Sequence, residues 1–237
     1  MNKIYLERRE AIEHFFVPEN IVDDSRNVFV SPSGEFELET NRYSTGPKTR
    51  AYSRGIVKRL SDNKVIVDVK RNYGHFWHAW VKHSNGNEYL LCGEDYQGYS
   101  VINLTKESYE VFFPENGYKG FGFCWTAVYP SPDGHILAVD GCYWACPYEV
   151  VFYDFLDPSC LPLPEIDRCD GITDPVIGWV DDETFVFTVN YDVRKSDGKK
   201  YVELSDAEKD AVDEDTSQIE EVTEQFKWKR SEKQYGA

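Results

Sequence analysis

Long apolar runs are missing from this chain, and nowhere does it approach the roughly 18 uninterrupted apolar residues that a membrane-crossing helix needs. An apolar leader is missing too: residues 1–16 carry Arg8, Arg9 and several acidic side chains where a secretion signal would have its hydrophobic stretch. The protein is therefore expected in the cytoplasm, with no membrane partner. There its six cysteines are expected as reduced, mostly buried small hydrophobes. The chain has no Gly-x-Gly-x-x-Gly, no phosphate-binding Walker loop and no Gly-x-Ser-x-Gly. Dinucleotide, nucleotide-triphosphate and serine-hydrolase chemistries thus lack their usual scaffolds. No Cys-x-x-Cys redox pair occurs either.

Positive charge is scarce. Lys and Arg number 26 against 42 Asp and Glu, for a net charge of −16. This argues against a nucleic-acid backbone as partner, because such binding is driven by cationic side chains neutralising phosphates. More than half of the excess sits in residues 203–224, where ten acidic side chains face the single Lys209, a local charge of −9. A basic protein is the compatible partner for such a surface.

What the chain does have is aromatic residues, 15% of the total, and a repeated phrase. Large rings fill the space between stacked sheets; a ring-lined surface, for instance for sugars, is the alternative use. The phrase Val30-Ser31-Pro32-Ser33-Gly34-Glu35-Phe36 returns as Pro130-Ser131-Pro132-Asp133-Gly134-His135-Ile136. A looser copy surrounds Gly86 and a degenerate one surrounds Glu183. Gly34, Gly86 and Gly134 are 52 and 48 residues apart, and Glu183 follows 49 later. Polar turns at that period, set between alternating or β-branched runs, mark stacked antiparallel sheets.

The pattern predicts an all-β protein of four repeated antiparallel units. Strands are expected at 28–30, 35–40, 50–60 and 64–70, then at 76–81, 88–92, 99–104 and 109–113. A third set falls at 122–129, 136–140 and 148–155 with an ill-defined fourth member after Asp157-Pro158, and the last at 176–180, 184–190, 200–202 and 222–230. Residues 1–26 form a lead-in with near-helical apolar spacing ended by Pro18, residues 27–202 the repeated domain, 203–221 an acidic insertion or short helix, and 222–237 a closing strand and tail.

The phrases Ser31-Pro32-Ser33-Gly34 and Ser131-Pro132-Asp133-Gly134, each between two hydrophobic strands, resemble the first hairpin of blades in the WD40-like β-propeller superfamily, over residues 27–190. The resemblance implies a small β-propeller-like fold and a role in binding macromolecules. With four units and no Trp-Asp dipeptide, the alternative is an open, β-sandwich-like stack.

Among candidate chemistries, His75, His78 and His83 cluster in sequence, but strand alternation sends His75 and His78 to opposite faces, so no metal site is expected there. Cys142, Cys146, Cys160 and Cys169 have a spacing poorly suited to zinc, and no cofactor is expected. The carboxylates Glu94, Asp95, Asp140, Asp154, Asp157, Asp181 and Asp182 fall near strand ends, where a pair could serve a glycosidase or merely cap turns. The most unusual segment is Asp140-Gly141-Cys142-Tyr143-Trp144-Ala145-Cys146-Pro147, an aromatic connection where polar loops are the rule. It reads either as a contact loop with Tyr143 and Trp144 as anchors, flanked by Asp140, Cys142 and Cys146, or as a cap on the core. The leading expectation is a non-catalytic cytosolic module that binds a protein, with an acidic inhibitor or immunity-type protein as its sharper variant. A small hydrolase acting on a sugar or nucleotide ligand is the alternative. Oligomeric state is left open.

Overall fold

The recurring phrases fold as one and the same turn. Gly34, Gly86 and Gly134 have φ of +75°, +84° and +75°, the left-handed region open to glycine at little cost. Each donates its N–H to the carbonyl three residues back, on Ser31, His83 and Ser131, at 2.9, 3.0 and 2.8 Å. The first residue of the turn then ties down the chain beyond it. Ser31 Oγ accepts from Phe36 N–H and Ser131 Oγ from Ile136 N–H, while His83 Nδ1 accepts from Asn85 N–H.

The computed structural model describes residues 3–94, 98–117, 122–143 and 148–232. Four antiparallel sheets follow one another along the chain, each a meander in strand order. Sheet 1 holds β1 (Asn27–Val30), β2 (Phe36–Ser44), β3 (Ala51–Arg59) and β4 (Val65–Arg71). Sheet 2 holds β5 (His78–Lys82), β6 (Glu88–Glu94), β7 (Gly98–Asn103) and β8 (Ser108–Phe112). Sheet 3 holds β9 (Cys124–Pro130), β10 (Ile136–Cys142), β11 (Tyr148–Asp154) and β12 (Glu165–Cys169). Sheet 4 has three strands only, β13 (Ile172–Trp179), β14 (Thr184–Arg194) and β15 (Ile219–Lys229). The all-β, propeller-like class read from the repeat is therefore the observed one.

Sequence pattern explains how the sheets stack. In sheet 2, Glu88–Glu94 is buried throughout, so both of its faces are covered. Tyr89, Leu91, Tyr99 and Val101 pack toward sheet 3 with Leu137, Val139, Val151 and Tyr153. Leu90, Cys92, Ile102 and Leu104 pack the other way, against Phe36, Leu38, Val57 and Val69 of sheet 1. Sheet 3 is likewise two-faced, its Ile136, Ala138, Val150 and Phe152 meeting Phe185, Phe187 and Trp228 of sheet 4. Sheet 1 is single-faced: β2 alternates Phe36 and Leu38, inside, with Glu37 and Glu39, outside. Its outer face carries the ion pairs Arg26–Glu39 and Arg54–Asp68. Among the described residues the core clusters join sheets 1–2, 2–3 and 3–4, and none joins sheet 4 back to sheet 1. The sheets form an open run, with polar faces at its ends.

Helix α1 (Lys3–Ile12) is pinned to sheet 2 by one carboxylate. Glu94, fully buried, accepts hydrogen bonds from Tyr5 Oη at 2.8 Å, Tyr109 Oη at 3.1 Å, Ser100 Oγ and the Arg9 guanidinium. Beyond α1, Phe15 stacks on Tyr52 and Phe16 meets Tyr43 edge-on.

Two strand expectations need correcting. Residues 200–202 make no strand of sheet 4: Tyr201–Glu203 is a 3-10 turn, held by a single bridge between Val193 and Lys200. The third place in the sheet is taken by β15, which pairs with β14 over its whole length, from Thr184 opposite Lys229 to Arg194 opposite Ile219. The ill-defined last strand of unit three is β12, at Glu165–Cys169. The acidic segment contains helix α2 (Asp206–Glu214), begun by a capping box between Ser205 and Glu208 and anchored by buried Val212.

Candidate interaction site on the third and fourth sheets

β14 and β15 are each 11 residues long, against 5 to 7 for the strands of sheet 3. At about 3.4 Å per residue they outrun the sheet they pack on by several residues. On their inner faces Phe185, Phe187 and Trp228 are buried against sheet 3 and Val189 packs partly against the same cluster, whereas Tyr191, further along β14, and Phe226, paired with Phe187 across the ladder, are left partly uncovered. This overhang makes a groove of about 670 Å³, floored by Phe187, Val189, Tyr191 and Phe226 and walled by Arg168 to Gly171 on one side and Lys200 to Val202 on the other. Phe226 is 44% exposed and Val202 79%.

Charge in the groove is organised around rings. Tyr191 Oη donates to Glu224 Oε2 at 2.7 Å, and that bond holds the phenol above its ordinary pKa. Lys200 Nζ lies 3.8 Å from the centroid of the same ring, a cation over an aromatic face. Tyr201 Oη reaches both oxygens of Asp213 at 3.0 Å. Of the carboxylates that line the groove, Asp170 and Asp192 make no ion pair with a described residue, and neither do Asp206, Glu214, Glu220 and Glu221 further along the chain.

Arg168 joins the groove to the Asp140–Pro147 segment. Its guanidinium grips Glu165 through Nε and Nη2 at 3.0 and 2.8 Å and also reaches Glu149. Hydrogen bonding to Glu165 raises its already high pKa. The same plane lies 5.1 Å from the Tyr143 ring and 5.5 Å from that of Phe123. Tyr143 is partly buried against the cluster between sheets 2 and 3. Cys142, 6% exposed, ends β10 opposite Cys124, whose thiol burial pushes up to about 11. Asp140 belongs to the opposite face of sheet 3, beside Asp174 and Tyr129. Burial, then Asp174, raises its carboxyl to about 6, and its Oδ1 is buried without a hydrogen-bond partner. Trp144 and Cys146 lie outside the described residues. Asp140 and Tyr143 thus face different intersheet spaces.

The remaining candidates are dispersed. Asp154, Asp157 and Asp181 each accept a backbone N–H from two residues ahead, and Glu94 is committed to α1; Asp95 lies outside the described residues. His83 Nε2 is 2.7 Å from the Phe155 carbonyl oxygen, His78 is half-buried beside Phe29, and His75 is exposed. Among the described residues no three His, Cys, Asp or Glu side chains gather as metal ligands. No described helix is long and apolar enough to cross a membrane. The sequence reading places Phe226 and Trp228 on one face of the closing strand but marks none of the groove residues Arg168, Tyr191, Tyr201 and Phe226 as site residues; for Tyr191 and Phe226 the available signal is the alternation of aromatic residues along two long strands.

The chain is 34% identical over 197 residues to "Uncharacterized protein R762" of Acanthamoeba polyphaga mimivirus, a match covering 80% of this chain and 77% of that one. The chain belongs to the family of that viral protein. No family model matches it. Among solved structures it is similar to the β-propeller domain of Cps50 (Swd1) of Myceliophteria thermophila, at 12% identity and a TM-score of 0.39, over 72% of this chain and 46% of that chain. It spans less than half the length of that domain's chain.

Proposed function

We propose that this member of the family is a non-catalytic binding module, working in the cytoplasm, whose partner is a protein presenting a basic surface. The observation that carries the reading is the groove over the β14–β15 overhang: uncovered rings sit beside carboxylates that have no cation of their own. Apolar floor gives area, and the acidic rim favours lysine or arginine and speeds encounter. The contact surface extends across Arg168 to the Gly141–Pro147 connection, with Tyr143 and Trp144 as anchors and Asp140, Cys142 and Cys146 flanking. An acidic inhibitor that covers a basic partner is the sharper form of the same proposal. The turn aspartates, spent on backbone N–H groups, favour binding over hydrolysis.

The test is a titration of short fluorescent peptides, one alternating lysine and leucine and one alternating glutamate and leucine, at low and high salt. The basic peptide is expected to bind, to weaken with salt, and to lose at least about tenfold in affinity in Tyr191→Ala and in Asp170→Asn/Asp192→Asn. Equal binding of both peptides, or basic-peptide binding untouched by these substitutions, would refute the groove as the site.

A further inference from the structure

Sheets 1 to 3 have four strands each and sheet 4 has three. The place left empty is the outer edge of β15. Register fixes which backbone groups point there. Arg230 N–H donates to Glu183 O and Lys195 N–H to Gln218 O, both at the β14–β15 ladder's ends. The even-numbered residues of β15 therefore bond to β14, and the odd-numbered ones, Glu221, Thr223, Gln225 and Lys227, aim N–H and C=O outward. Among the described residues no strand pairs with them. The other outer strands are guarded in ways that edges usually are: β8 and β12 have five residues each, and β12 carries a register shift. Helix α1 borders both β4 and β8. β15 offers 11 residues with none of these protections.

Its charges are sorted by position. Glu220, Glu221 and Glu224 occupy the first half, and Lys227 and Lys229 the second. A strand so arranged is complementary to itself when two copies run antiparallel. We propose that a second copy of this chain adds its β15 to this edge, with Glu221 opposite Lys227, Val222 opposite Phe226 and Thr223 opposite Gln225. A two-fold axis then passes at Glu224, and each cross-strand pair occurs twice. Odd residues face odd residues, so the outward N–H and C=O groups meet as hydrogen-bonded pairs. Two three-stranded sheets become one of six. Glu221 and Lys227 are exposed and have no partner within the described residues, so the ion pairs form without breaking existing ones. The acidic arm of each copy comes to lie beside the lysine end of the other. Glu224 meets its own copy at the axis, but its carboxylate is drawn to the groove face by Tyr191.

Sedimentation equilibrium on the full chain decides the matter, with circular dichroism confirming that each variant is folded. The wild type is expected to dimerise in the micromolar range. Glu221→Lys and Lys227→Glu should each weaken dimerisation at least about tenfold, because each sets like charges opposite one another twice. Mixed one to one, these two variants restore opposite charges at both pairs and should form a heterodimer. Gln225→Pro, which removes an outward N–H and leaves the β14 ladder intact, should give a monomer. A wild type that stays monomeric through the high-micromolar range, a dimer indifferent to both charge reversals, or failure of the mixture to pair would overturn the proposal. The groove is tested at Tyr191, Asp170 and Asp192 and this edge at Glu221, Lys227 and Gln225, so failure of one reading is distinguishable from failure of the other.

Discussion

Trp228 bears most directly on the claim that the last strand is a core element. The side chain is 1% exposed and lies parallel to Phe152, with centroids 3.9 Å apart and an interplanar angle of 8°. It meets Trp179 edge-on at 5.8 Å and donates from Nε1 to Asp167 Oδ2 at 2.7 Å. Trp228→Ala removes a fully packed ring between two sheets, a loss of about 3 to 5 kcal/mol. For a chain of this size each kcal/mol moves the melting temperature by about 2 to 4 °C, so a fall of about 6 to 20 °C follows. Trp228→Phe keeps a ring against Phe152 but gives up the bond to Asp167, at about 2 kcal/mol. Two residues earlier on the same strand, Phe226→Ala is the internal control: its half-exposed ring should cost no more than about 1 kcal/mol. Differential scanning calorimetry of the three variants beside the wild type gives the ranking. A Trp228→Ala shift below about 3 °C, or one no larger than that of Phe226→Ala, would refute the packing of sheet 4 on sheet 3.

Glu94→Ala should destabilise by about 3 kcal/mol in urea unfolding, because it strips the Arg9 guanidinium of a buried carboxylate, whereas Tyr5→Phe should cost about 1 kcal/mol. Asp140 titrates higher folded than unfolded, so its charge opposes folding above both pKa values and the opposition vanishes once it is protonated in both states. Asp140→Asn is therefore expected to stabilise at pH 7 by about 1 to 2 kcal/mol, allowing for solvent screening of a half-buried group. That gain should fade as pH falls from 6 to 4, spanning the raised value and the ordinary one; a pH-independent gain would argue against this origin. At the turns, Gly34→Ala meets no neighbour and should cost about 1 kcal/mol from its backbone alone, while Gly134→Ala also drives a Cβ to 2.7 Å from Ser84 Oγ and should cost measurably more in the same assay.

The stacking order could be read from residue order in a way that turn spacing alone does not reveal. Leu90-Leu91-Cys92 and Ile136-Leu137-Ala138-Val139 are apolar on both alternations and so demand cover on two faces, while Phe36-Glu37-Leu38-Glu39 demands it on one. A closed ring would need every sheet to be two-faced, and sheet 1 is not. Placement of the last strand was less legible. Lys200-Tyr201-Val202 has strand-like composition, but it is too short to compete with β15, which satisfies 11 consecutive residues of β14 across an intervening segment. Pairing over that separation depends on length and register that local pattern does not encode. The groove was hidden for a related reason. It arises because two strands exceed the length of the sheet beneath them, and the residues it gathers run from Arg168 to Phe226. The Asp140–Pro147 segment stood out by composition, yet strand alternation and a register shift after Asp140 divide its side chains between two intersheet spaces.

The open run of sheets has a consequence for how such a chain can change in length. Each inner sheet meets only its immediate neighbours, and the end sheets alone carry the polar faces that stop the stack. An added two-faced sheet inserted between sheets 2 and 3 would find an apolar surface on either side and leave both terminators untouched. A ring has to preserve its blade number to close; this architecture does not, so relatives can gain or lose an inner sheet while keeping the first and last, with stability growing by roughly one interface per insertion.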